Sequence, residues 1–325
     1  MWGNTLGWTI SAALIVVMGA FVYIADRAGQ ISSPGDFALN AIKQGELTTP
    51  VSLQSILPKP SDRDDAAPLY LQAIKAYESD SAKYDHFNDR GRSDDIEKLD
   101  ALEQLIRASE TSRAKIFEDQ PELIVNMHPE KPARDAVEAL GSAAVRAALL
   151  MQSKDPATAK KYAQAGFALG ARLFEERLTG AELMAGLQIM SESAIVLKKI
   201  ATAQHDLSAE AKLVEFDAAR QEFYKQRIEP MLRVLNAVDE NIVGQHTGDV
   251  FYIAQDKKGE RVWRVEAIFA LGRMKYFVGT GGRIGDQRGA VKVLKRLAES
   301  DHDPVIRAAA ASARDLTIDD YRRQH

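Results

Sequence analysis

The chain has 325 residues, of which 42 are Lys or Arg and 46 are Asp or Glu, a formal charge of −4 that excludes a strongly basic nucleic-acid binder. With 46% apolar and 27% charged residues it is composed to fold, and its length suits one large domain or two ordinary ones. It contains no cysteine, which excludes a disulfide scaffold, a cysteine-ligated zinc site and a thiol nucleophile.

The first element is apolar. From Leu6 to Ala25 twenty residues pass without a charge, and as a helix they measure roughly 30 Å, about one hydrocarbon thickness. Trp2, Trp8 and Tyr23 fall where amphipathic rings favour the interface, and Asp26-Arg27 ends the run. No Lys or Arg precedes the run, it exceeds a usual signal-peptide core, and Tyr23-Ile24-Ala25 lacks the small residue of a cleavage site. The pattern therefore predicts an uncleaved single-pass anchor over 1–27. The sparse flanking charges slightly favour a soluble part on the exoplasmic or periplasmic side. Gly3, Gly7 and Ser11 share one helical face, which is ordinary for a spanning helix and also permits helix pairing.

Residues 28–61, with Pro34, Pro50, Pro58 and Pro60, read as a linker. A helical-repeat region is expected over 62–240. Its first helix covers 66–79, with Asp65 as cap and Leu69, Ala73, Ile74 and Tyr77 on one face. The polar stretch 79–93 separates it from a second, opened by Asp94-x-x-Glu97 and striped by Ile96, Leu99, Leu102 and Ile106. Pro132 and Asp155-Pro156 start two long helices, 132–153 and 156–177, that form a hairpin. The next, 180–203, carries Leu183, Leu187, Met190, Ala194 and Leu197, and Glu182, Gln188 and Glu192 make it amphipathic. Another begins near 208 with Leu213, Phe216, Ala219 and Phe223 inward, and ends or kinks at Pro230. Between Val250 and Val265, β-branched and aromatic runs flank Asp256-Lys257-Lys258-Gly259, a pattern that predicts a short β-hairpin near 250–265, with a loop entering a helix as the competing reading.

Residues 250–325 form a basic C-terminal helical region: 257–325 hold 15 basic and 9 acidic residues, against 26 and 36 in 31–256. Setting 262–276 over 303–317 pairs Val265 with Ile306, Ala267 with Ala308, Ala270 with Ala311 and Arg273 with Arg314. The segment DHDPVIRAAAASARDL (301–316), preceded by AVKVLKRLAES, resembles a HEAT repeat through Asp303, Pro304, Val305, Arg307, Ala308 and Ala309. Ala66-x3-Tyr70-x2-Ala73 and Ala163-x3-Phe167-x2-Gly170 are similar to the second helix of tetratricopeptide repeats, without the partner-helix signature. These resemblances imply an all-α fold, an irregular α-solenoid of helical hairpins after the anchor, and a surface for holding other macromolecules.

Motifs of chemistry are sparse. The six histidines include no pair at i, i+4, and neither HExxH nor GxSxG occurs. The glycine-rich run 279–289 lacks the Lys-Ser/Thr of a P-loop and reads as an interhelical loop, or as an anion contact at the start of a basic helix. Trp263 is a core residue by default, with an interface anchor as the alternative. The candidate contacts for a partner or anion are Trp263, Arg264, Arg283, Arg288, Lys292, Lys295 and Arg296. No catalytic residue, cofactor or metal is expected. The function expected is a membrane-anchored scaffold or accessory subunit binding a protein partner in a larger membrane complex. The alternatives are an anionic-lipid or ligand binder using the basic C-terminal region and, behind it, an enzyme with a dispersed site; a nucleic-acid partner is not expected.

Overall fold

The computed structural model describes residues 61–113, 115–127, 132–229, 232, 243–276 and 284–324. The expected anchor over 1–27 and all but the last residue of the linker lie outside the described residues. Among the described residues no helix is long and apolar enough to cross a membrane. The fold they form is all-α, apart from a short parallel pairing of β1 (Ser61–Asp65) with β2 (Thr111–Arg113), which the sequence patterns did not predict.

Helix α1 (Ala67–Ser79) starts where the Asp65 carboxylate accepts the Ala67 N–H at 2.9 Å. Tyr70, Ala73, Ile74 and Tyr77 are buried at helical spacing. The polar stretch that follows is not a separator. It forms α2 (Ser81–Arg90), because Tyr84 and Phe87, three residues apart, bury one face of an otherwise solvated helix. The Asp94-x-x-Glu97 segment is a 3-10 turn (Ser93–Lys98) leading into α3 (Asp100–Ser109), which buries Leu102 and Leu105.

The expected hairpin is present as α4 (Pro132–Met151) and α5 (Pro156–Glu176), with the Asp155 carboxylate accepting the N–H groups of Ala157 and Thr158, each at 3.1 Å. Helix α6 (Gly180–Ala203) follows a capping box made by Thr179 and Glu182. It crosses α5 with the two backbones in contact, since a β-carbon on Gly170 would lie 2.7 Å from the Gly186 carbonyl and one on Gly186 2.7 Å from the Gly170 carbonyl. Helix α7 (Leu207–Phe223), capped by Asp206, continues through one π-turn (Tyr224–Ile228). Edge-to-face ring pairs Phe167–Phe216 and Phe174–Phe223 hold α7 along α5.

No β-hairpin forms at 250–265. That segment is the end of α8 (Val243–Gln255) and the start of α9 (Arg261–Met274), joined by a turn in which the Asp256 carboxylate accepts the Lys258 N–H at 3.0 Å. Val250, Ile253, Ala254, Val262, Trp263 and Val265 are all buried, and helical spacing places all of them inward where period-two alternation would expose half. The second pair is α10 (Ile284–Ser300) and α11 (Pro304–Asp315), with the Asp303 carboxylate accepting the Val305 N–H at 2.9 Å and Pro304 in the first turn. Helix α12 (Ile318–Gln324) follows.

The pairs α8/α9 and α10/α11 stack, with α9 packed on α11 through small residues: a β-carbon on Gly272 would stand 2.9 Å from that of Ala313. This stack joins the α4–α6 block in one continuous core. The loop 115–127 helps to seal it, as the Met127 N–H donates to Ser312 Oγ at 2.9 Å and that hydroxyl donates to Asn126 Oδ1 at 3.0 Å.

Candidate interaction surface

Ala290, Leu294 and Leu297 of α10 are buried at spacings of four and three, which fixes the rotation of the helix. Arg288, Val291, Lys292, Lys295 and Arg296 consequently face outward, and all five are exposed. Among the described residues no carboxylate pairs with any of these four cations. The Arg296 guanidinium donates to the Gln255 side-chain oxygen on α8, tying the row to the neighbouring helix, where Tyr252 is 49% exposed. Phe251 anchors the same junction, 3.2 Å from where a β-carbon on Gly289 would sit. The result is a positively charged ridge with two apolar side chains at hand, able to meet an acidic surface.

Neither Trp263 nor Arg264 belongs to this surface: Trp263 follows its default reading as a core residue and not the interface-anchor alternative, and Arg264 is buried where a partner or anion contact was expected. Both are 3% exposed. Trp263 is a core residue of α9, and Arg264 reaches the turn between α10 and α11 to pair with Asp301 at 2.6 Å. Burial alone would raise the Asp301 carboxyl, but the Asp303 N–H and the Arg264 guanidinium together hold it below the ordinary carboxylate range. Neighbouring cations are used in the same way. Arg261 bridges Asp303 at 2.8 Å and Glu118 at 3.3 Å, while Arg307 donates to the Asp301 carbonyl at 2.7 Å. Arg283 lies outside the described residues. Four of the seven expected contacts thus share one accessible helix face.

A second group of charged residues was not read from the sequence as a unit, and Glu182, expected on the polar face of its helix, is buried. The Glu176 carboxylate, at the end of α5, accepts the backbone N–H groups of Ile116 at 2.9 Å, Phe117 at 2.7 Å and Glu118. Burial pushes its pKa up to about 7 against the opposing pull of those three donors. Glu182 is 1% exposed and accepts the Leu178 N–H at 2.6 Å; burial first, then the nearby Glu176, raise its carboxyl well above the usual range. Glu266 of α9 accepts the Gly180 N–H at 2.7 Å. These carboxylates clamp backbone amides where the C-terminal stack meets the α5–α6 turn. The Thr179-x-x-Glu182 capping box was readable in the sequence; Glu176 carried no local signal, since its donors lie some sixty residues away.

Among the described residues no group of three or more His, Asp or Glu is placed to hold a metal ion. A cleft of about 300 Å³ opens between α5, α6 and α7 on a different part of the surface. Compared with protein-family models, curated proteins and solved structures, the chain has no significant match to any of them. Fold and surface therefore define a class, an all-helical protein of packed helical hairpins with one basic exposed ridge.

Proposed function

We propose that the protein is a single-pass, membrane-anchored scaffold or accessory subunit, an irregular α-solenoid that docks a protein partner of a larger membrane complex on the basic ridge of α10. The observation that carries this reading is the row Arg288, Lys292, Lys295 and Arg296, exposed on one helix face and free of carboxylate partners among the described residues, whereas Arg261 and Arg264 of the same stack are internally paired. Unpaired cations gathered on one face supply steering and selectivity for an acidic surface at little cost to the fold. The anchor is supported by the uncharged run from Leu6 to Ala25.

The same ridge, with Val291 and Tyr252 exposed beside it, also suits anionic lipid headgroups, which is the alternative reading. Vesicle co-sedimentation separates the two. Under the scaffold reading the full chain recruits no more anionic than zwitterionic vesicles, and R288Q/K292Q/K295Q/R296Q loses its protein partner. Salt-sensitive capture of anionic vesicles, lost in that variant while complex assembly persists, would favour lipid instead.

A further inference from the structure

The cleft between α5, α6 and α7 follows from a break in an otherwise regular seam. Helices α5 and α7 run parallel, because Phe167 pairs with Phe216 at 5.1 Å between ring centroids and Phe174 with Phe223 at 5.4 Å, both edge to face. Each rung lies one heptad from the other on both helices. One heptad earlier the same positions hold Lys160 and Ala209, so the ring-on-ring filling stops and a methyl group faces a long, exposed side chain. The space left is the cleft of about 300 Å³, with Leu197, Ile200 and Leu213 among the residues that line it.

Two features describe what fits. These three side chains are buried and give the cleft an apolar side, while Gln164, Gln204 and Ser208 also line it; since a cavity of about 150 Å³ accommodates a benzene ring, this one has room for a ring and a short chain. At the rim stand Lys160 and Lys212, on α5 and α7. The one carboxylate at the rim, Asp206, already accepts the Ala209 N–H at 3.0 Å as the cap of α7. We propose that the cleft binds a small aromatic carboxylate, its ring taking the place of the third aromatic rung and its carboxylate lying between Lys160 and Lys212. This site is separate from the ridge on α10 and does not depend on the scaffold reading.

The test is a fluorine NMR titration of the full chain, held in zwitterionic lipid nanodiscs, with para-fluorophenylpropionate and with its neutral amide. Saturable broadening of the acid's resonance is expected, in the sub-millimolar to millimolar range for a ligand of this size. Ala209→Phe, which supplies the missing ring, should abolish it. Lys160→Gln/Lys212→Gln should weaken it about five- to tenfold, and the amide should bind the wild type more weakly by a similar factor. Should Ala209→Phe fail to fold, Lys160→Phe fills the same rung from α5. Absence of saturable binding to the wild type, or binding that survives the filled rung, overturns the proposal; equal affinity for acid and amide overturns the role of the lysines.

Discussion

Asp301 and Arg264 illustrate how much a single pair decides. Their side chains are 1% and 3% exposed and 2.6 Å apart, so removing one charge leaves the other buried and unpaired. Arg264→Ala should therefore cost about 3–5 kcal/mol in urea unfolding, whereas Lys292→Ala on the exposed ridge should stay within about 0.5 kcal/mol. Glu176 sets a different dependence. Its folded pKa, raised to about 7 by burial, means that the native state holds a proton which the unfolded chain releases from about pH 4.5 upward. Its contribution to stability is accordingly present below about pH 4.5 and is lost as pH rises to about 7. Glu176→Gln removes that titration, so the difference in unfolding free energy between wild type and variant should change across this window by on the order of 2 kcal/mol. A difference that stays constant from pH 4.5 to 7.5 would contradict this. Nothing in the local sequence distinguishes Arg264 from Arg288, because only the packed position of Asp301 makes the first internal.

At the scale of elements, the helices whose ends carry chemistry were legible. Asp155-Pro156 and Asp303-Pro304 each state a start, and each start is found with its cap bonded. Other elements were not. Helix α2 was hidden because its composition is polar and its burial rests on Tyr84 and Phe87, too few for a stripe. The 250–265 segment looked extended because β-branched residues dominate it, yet residues buried on nearly every side lose the alternation that marks a strand. The strands β1 and β2 pair across some fifty residues, a separation that no local pattern reveals. Helix propensity and packing make opposite predictions at the α5–α6 crossing. Propensity favours Gly186→Ala by about 1 kcal/mol, but the new methyl would meet the Gly170 carbonyl at 2.7 Å. Thermal unfolding should show a net loss of about 1–3 kcal/mol; a stabilised variant would mean that the helices separate without cost.

For the whole molecule, the core runs without interruption from α1 to the end of α11, and charges are divided by use. Those at the junctions, among them Arg261, Arg264, Asp301 and Asp303, hold helix pairs together, while those on α10 face solvent. The site was partly legible in the sequence: the basic helix stood out by its charge and Trp263 read as core by default, whereas which cations of α10 face outward and the burial of Arg264 depended on how α9 and α10 pack. The central claim is that a membrane-anchored chain docks a protein through the α10 ridge. Its most direct test is purification of the full chain from its native membrane in gentle detergent, followed by native mass determination, for the wild type and for R288Q/K292Q/K295Q/R296Q. A stoichiometric protein partner is expected with the wild type, and its loss, without loss of fold, in the variant. Elution of the wild type alone, or a partner retained by the variant, would contradict it.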